Sequence, residues 1–529
     1  MKRSLLLPCV ACAFFAPGLF GQDIEALAQA SGRKLPAQYY QRIQRSPDFF
    51  EVQDGWIART HAVRQAQSAV TGALPIAVVL ALFSDSNEPV VTEQDVQRSL
   101  FDGPSDNGTV SDFYSEVSGG RFTIDGHALP WVRTDLTMAE TVGSSFGLGA
   151  DSRVGEYLIQ ALAIADSTTD FGEFDNDGPD GIPNSGDDDG FVDAVAFQFA
   201  EVAASCGGPA IWPHRSRISG WTGGPFLTHD STPDGEPLAV DDYIVQSAVT
   251  CAGTAIQNAA TIAHELGHVL GLPDLYDASD GIEPEKRRWV VGCWGLMAAG
   301  SWGCGKVLDR STWNRPTHMS PWSKDKLGWI TQRVVGDVLD QEFTLGPVQI
   351  TGEVLKIPLT PTEFLLLEYR PAVGFDVNLP ASGVLVYHID LQLPLRPCPT
   401  CEKVYRVALV EADGNRGLVR PSRFGGNRGE AGDAFAVDGP ARLSNSTRPS
   451  TRLNAGGVSS VTISSIAVGG GRARIQLSSI GIAMDRLLER FTGIPTDNPL
   501  NVEEVKYLDR IGNGNGSYDV GDLRAYLRR

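Results

Sequence analysis

Residues 261–277, TIAHELGHVLGLPDLYD, constrain this chain more than any other stretch. On a helix, positions i and i+4 share a face, so His264 and His268 can offer imidazole nitrogens to one metal ion. Glu265 stands beside the first of them, where a carboxylate can activate water without being a ligand. Gly271 suits a helix end because it accepts the left-handed backbone that turns a chain back. That turn brings Asp274 round as a third ligand, and three protein ligands with one open position are the mark of a catalytic zinc site. A rival third ligand is Glu283 or Glu285, in the polar stretch GIEPEKRR. A chance HExxH is the bland alternative, and the apolar approach of Ala259, Ala260, Ile262 and Ala263 argues against it.

At 529 residues the chain exceeds one ordinary core and implies two or three domains. A formal charge of −20 with no basic stripe excludes a nucleic-acid partner. Residues 1–21 read as a signal peptide: Lys2 and Arg3, then a short apolar run holding Cys9 and Cys12 and broken by Pro8 and Pro17. No later run is long enough to span a membrane, so a secreted protein is expected. Six cysteines follow the leader. Export and an even number suggest disulfides, and proximity favours Cys293–Cys304, Cys398–Cys401 and Cys206–Cys251.

The rest of the chain falls into four stretches. Residues 22–72 are polar and helix-compatible, as expected of a pro-region in a zymogen; a carboxylate such as Asp54 is a candidate zinc cap. Residues 73–330 hold the zinc motif. They open with PIAVVLALFS, a buried strand, and continue with a short helix at 111–118, a core helix at 154–165, strand-like IWPH and DYIVQ, and a final helix at 320–330. Residues 331–478 change texture to short β-rich runs such as EFLLLEYR and GVLVYHID, as in a β-sandwich. There His388 is either a metal ligand or a half-buried strand residue. Residues 479–529 become helical again.

Two regions carry oxygen ligands suited to calcium. Residues 170–197 interleave Asp175, Asp177, Asp180, Asp187, Asp188, Asp189 and Asp193 with Gly and Asn, supplying hard donors and tight bends; a solvated acidic loop is the alternative. Near the C-terminus, Asn513, Asn515, Asp519 and Asp522 fall at donor positions of a twelve-residue loop, with Gly516 at its sharp turn. The first position would be Ile511, which offers no side-chain oxygen. The loop resembles half of a dockerin or EF-hand element.

HELGHVLGLPDLYD, LMAAGSW, SPWSKDKLGWI and EFLLLEYR…LPASGVLVYHID together resemble the M6 family of secreted bacterial metallopeptidases, the immune inhibitor A type. The likeness runs from about residue 73 to 477. It implies an α+β protein: a metzincin-like zinc peptidase domain with calcium sites, a pro-segment before it and a β-domain after it. It further implies zinc on His264, His268 and Asp274, Glu265 as general base, and Met297 in the turn that floors the metal. The expected activity is hydrolysis of protein or peptide substrates by metal-activated water. Tyr276 is a candidate oxyanion donor by proximity, against a packing role. A calcium-stabilised extracellular adhesion protein with a vestigial site is the competing class.

Overall fold

The computed structural model describes residue 24 and residues 33–46, 49–50, 69–178, 180–277, 286–304, 315–395, 403–439 and 441–528. The leader, Asp54, Glu283, Glu285, Cys398 and Cys401 lie outside them. Ahead of the main body, helix α1 (Ala37–Arg45) buries Tyr39 and Ile43. With Phe50 they pack on Leu148, Ala204 and Trp212. The Arg42 guanidinium lies 4.2 Å over the Phe49 ring and 4.4 Å over Trp221.

Strand β1 (Gly72–Leu82) is the spine of the first sheet. Its aliphatic run is buried on both sides because its side chains alternate between two cores. Leu74, Ile76, Val78 and Leu80 meet the core that holds the zinc-motif helix. Ala77, Val79 and Ala81 meet a second core on the opposite face. Helix α2 (Val110–Ser118) begins one residue earlier than the sequence suggests, because Thr109 and Asp112 form a reciprocal capping box. Strand β2 (Phe122–Ala128) follows, then α3 (Val154–Ala165), β3 (Val195–Phe199), β4 (His214–Arg217), β5 (Asp242–Ser247) and the motif helix α4 (Ala260–Val269). The sheet runs β2-β1-β3-β5-β4, parallel except at the β4 edge. Cys206–Cys251 and Cys293–Cys304 are disulfide-bonded.

Helix α5 (Pro321–Lys326) is shorter than the expected 320–330 helix. Gly328 adopts a φ of 70°, a left-handed conformation that stops the helix. Then come β6 (Thr331–Val334), β7 (Gln341–Leu345), β8 (Glu353–Pro358), β9 (Glu363–Arg370), β10 (Gly383–Asp390), β11 (Val407–Leu409), β12 (Ala441–Leu443), β13 (Thr462–Gly469) and β14 (Arg472–Ser478). They form a five-stranded sheet, β11-β10-β9-β8-β6, and a four-stranded sheet, β7-β14-β13-β12. Leu355, Leu365, Leu367, Val384 and Val386 of the first face Phe343, Ile463, Ile475 and Leu477 of the second.

The other face of the five-stranded sheet is buried as well. Val354, Leu366, Leu385, Tyr387 and Ile389 join the same core as Phe113, Leu266 and Met297. One apolar core therefore crosses the textural break at 330/331. Every residue of β9 is buried, the apolar run Phe364–Leu367 together with the charged Glu363, Glu368 and Arg370. Three helices close the chain: α6 (Met484–Thr492), α7 (Val502–Ile511) and α8 (Val520–Leu527). Among the described residues no helix is long and apolar enough to cross a membrane.

Candidate metal centre and active site

Helix α4 ends at Val269, and Gly271, at φ 79°, turns the chain back. The return brings one Asp274 carboxylate oxygen 3.3 Å from His264 Nε2 and 3.6 Å from His268 Nε2. One ligand atom from each of the three lies within 4.8 Å of the others. The opposite ring nitrogens are tied down: His264 Nδ1 donates to the Leu296 carbonyl at 2.9 Å and His268 Nδ1 to the Leu272 carbonyl at 2.7 Å. With the proton held on Nδ1, the Nε2 lone pairs face the point of convergence, as metal-binding imidazoles require. Burial pulls the His268 pKa down to about 3, although Asp274 opposes the shift. Glu265 is buried one residue past the first histidine. Its charge adds to burial in raising the Tyr114 pKa, and the Tyr114 hydroxyl donates to the Ala263 carbonyl at 2.7 Å.

Met297 lies directly beneath α4. A Cβ placed on Gly267 would sit 2.5 Å from Met297 Sδ, so the thioether occupies the space a side chain would need. Sequence reasoning passed over Gly267. A glycine inside a helix sacrifices about 1 kcal/mol relative to alanine, and that cost was the available signal of a close neighbour. The Met297 carbonyl also accepts from Leu275 N at 2.6 Å, which anchors the residue after Asp274.

Sequence reasoning also missed a polar brace reaching in from the second half of the chain. Arg370, at the end of β9, donates to both Asp376 oxygens at 2.9 and 2.7 Å. It also donates to the Trp294 and His318 carbonyls. The His318 carbonyl accepts from Leu296 N at 3.1 Å, and Leu296 is the residue whose carbonyl orients His264. Lys324 donates to His318 Nδ1 at 2.8 Å, leaving Nε2–H to donate to Glu116 at 2.7 Å. Burial pulls Lys324 down to about 8. Burial acts to raise Asp376, but the charges of Arg370 and His318 and the hydrogen bonds from both together hold it well below the usual carboxylate range.

The acidic stretch divides. Asp175, Asp177 and Asp193 are fully buried and converge within 4.8 Å. Burial, followed by the charges of Asp189, Asp188 and Asp177, pushes Asp175 up to about 8. Asp180, Asp187 and Asp189 do not join this cluster of three and shape the loop around it. Asp180 N donates to Asp187 at 3.2 Å, Asp180 accepts from Ile182 N at 2.8 Å, and Asp189 accepts from Phe191 N at 2.9 Å.

In the C-terminal loop, Asn513 and Asn515 both donate their amide NH2 groups to Asp519, at 2.9 and 2.8 Å. Asp519 caps α8 in a box with Asp522. Gly516 N donates to Asp509 at 3.0 Å, so Asp509, two residues before Ile511, supplies the carboxylate at the loop's entry. His388 pairs with Glu363 at 2.8 Å within the sheet. Tyr276 packs edge-on to Trp289 with the Arg287 guanidinium over its ring at 4.5 Å.

Residues 94–331 match the family description "Immune inhibitor A peptidase M6, catalytic domain". The chain is 29% identical over 245 residues to the pre-pro-metalloprotease PrtV of Vibrio cholerae, covering 43% of this chain and 24% of that protein. It is 30% identical over 236 residues to immune inhibitor A of Bacillus thuringiensis subsp. alesti, covering 41% of this chain and 31% of that protein. The likeness thus spans less than a third of either relative's own length. Residues 94–331 of this chain thus match the catalytic domain of the immune inhibitor A peptidase M6 family.

Proposed function

We propose that the chain is an exported zinc-dependent endopeptidase whose active site is His264, His268, Asp274 and Glu265. The observation that carries this reading is the convergence of two Nε2 atoms and one carboxylate, with both Nδ1 atoms committed to backbone carbonyls. Two neutral imidazoles and one carboxylate suit zinc, and three ligands leave a position for reaction. Bound there, zinc would supply Lewis acidity. Glu265 takes the proton of the attacking water and returns it to the leaving amine. The Leu296 and Leu272 carbonyls hold the two rings in one tautomer, and Met297 fixes the height of α4 beneath them. Met297 and Leu296 lie on one short segment, so both supports move together.

Calcium on Asp175, Asp177 and Asp193 belongs to the same reading, as a brace for the loop that leads into β3. The segment carrying α1 is the candidate pro-segment, docked through Tyr39, Ile43 and Phe50. The name of the Vibrio relative, a pre-pro-metalloprotease, supports reading a leader and a pro-segment here.

The deciding experiment is Glu265→Gln in the processed protein, assayed on an unfolded protein substrate beside zinc content by mass spectrometry. Zinc should stay at one per chain while hydrolysis falls by about 10²–10⁴-fold, the usual share of a general acid–base. Undiminished hydrolysis in that variant would overturn the assignment. Asp274→Ala should lose zinc on dialysis, and unchanged zinc content would remove Asp274 from the ligand set.

A further inference from the structure

A second cluster of carboxylates lies in the second half of the chain. Ala412 N donates to the Asp433 carbonyl at 3.0 Å and Asp413 N to the Gly432 carbonyl at 2.9 Å, which sets 411–413 against 430–433. One carboxylate oxygen each from Glu411, Asp413 and Asp433 then falls within 4.8 Å of the others. Gly432 makes the approach possible, since a Cβ there would lie 2.4 Å from Asp413 Oδ2.

The cluster differs from an ordinary acidic surface. Asp433 is fully buried. Its Oδ2 accepts from Trp294 Nε1 at 2.8 Å and from Glu430 N at 2.9 Å, whereas its buried Oδ1 has no hydrogen-bond partner among the described residues. A buried carboxylate oxygen without a donor costs several kcal/mol unless a cation meets it. Glu411 is buried too and accepts from Leu418 N at 3.3 Å. Asn415 holds Asp413 through its backbone N–H and its side-chain amide, both at 2.9 Å. Burial pushes Glu411 up to about 7 and Asp433 up to about 6, and the neighbouring carboxylates push both further.

Carboxylate oxygens, with no histidine or cysteine among them, select a hard cation and favour calcium over zinc. The surrounding loop is laced to the segment that floors the active site. Cys293 N donates to the Arg428 carbonyl at 2.6 Å, Val290 N to the Leu418 carbonyl at 3.0 Å, and Arg428 to the Ala299 and Gly303 carbonyls at 3.2 Å. We propose that Glu411, Asp413 and Asp433 bind one calcium ion, which fastens the 411–433 loop to the segment bearing Trp294 and Met297. The site stands apart from Asp175, Asp177 and Asp193, and its test does not depend on hydrolysis.

The test uses the full chain, stripped with a chelator and refilled with calcium or terbium. Because the Trp294 indole is hydrogen-bonded to Asp433, terbium here should give tryptophan-sensitised emission that calcium displaces. The exposed Asp413→Asn, chosen because it leaves the buried positions intact, should lose that emission and bind one fewer calcium per chain; Glu411→Gln should do the same. Asp175→Asn with Asp177→Asn should keep both the emission and this ion. A natively folded Asp413→Asn chain that matches the parent in calcium number and terbium emission would overturn the proposal. So would loss of all bound calcium in the Asp175/Asp177 variant.

Discussion

Replacing Gly267 with alanine tests how closely Met297 supports the zinc-motif helix. Two effects oppose one another. Alanine restores helix propensity worth about 1 kcal/mol. The new Cβ would meet Met297 Sδ at 2.5 Å and Cε at 3.2 Å, and Met297 is 1% exposed, so its end has little room to swing. Overpacking of a filled core costs about 1–3 kcal/mol. The net expectation is a loss of about 1 kcal/mol in the parent background. In a Met297→Ala background the clash disappears and the sign should reverse, with Gly267→Ala stabilising by up to about 1 kcal/mol. Denaturant midpoints of the four proteins, all zinc-loaded, measure the cycle. A stabilising Gly267→Ala in the parent chain would show that Met297 moves aside, and would refute the claim that it sets the height of α4.

Other expectations follow from the surrounding groups. Arg370→Met leaves Asp376 as a buried charge without its guanidinium and should cost about 3–5 kcal/mol in chemical unfolding. A change below about 1 kcal/mol would place that brace among the dispensable contacts. The His214 imidazole, held between the Trp212 carbonyl and the Tyr243 hydroxyl, is pulled by burial from 6.5 to about 4. The unfolded chain takes up that proton below 6.5 and the folded one only near 4. The contribution of His214 is therefore whole above pH 6.5 and fades as the pH falls to about 4, by about 3 kcal/mol. His214→Gln should flatten that acid arm of the stability curve; an unchanged slope would assign it to other groups.

Much of the site was legible because it is local. Helical spacing placed His264 and His268 on one face, and Gly271 announced the turn that returns Asp274. The strand at 75–84 declared its double burial by lacking any polar alternation. What escaped is non-local. Arg370 reads as the end of a strand, and only folding brings it to the carbonyls of Trp294 and His318. Glu411 and Asp433 stand too far apart in sequence to suggest a common ligand. Within the acidic stretch, composition could not separate the buried Asp175, Asp177 and Asp193 from the turn-forming Asp180, Asp187 and Asp189, because the second group lies between members of the first along the chain.

The five-stranded sheet, covered on one side by the core that holds the zinc-motif helix and on the other by the second sheet, bears on how the chain can be divided. A chain stopped at 330 would leave Phe113, Trp322 and their neighbours facing water where Leu366, Leu385 and Tyr387 now lie. The shortest chain expected to keep this core closed therefore extends through β14, to about residue 478. Shuffling, fusion or exchange of appended modules is compatible with folding beyond that strand, where α6 to α8 gather around a small core of their own.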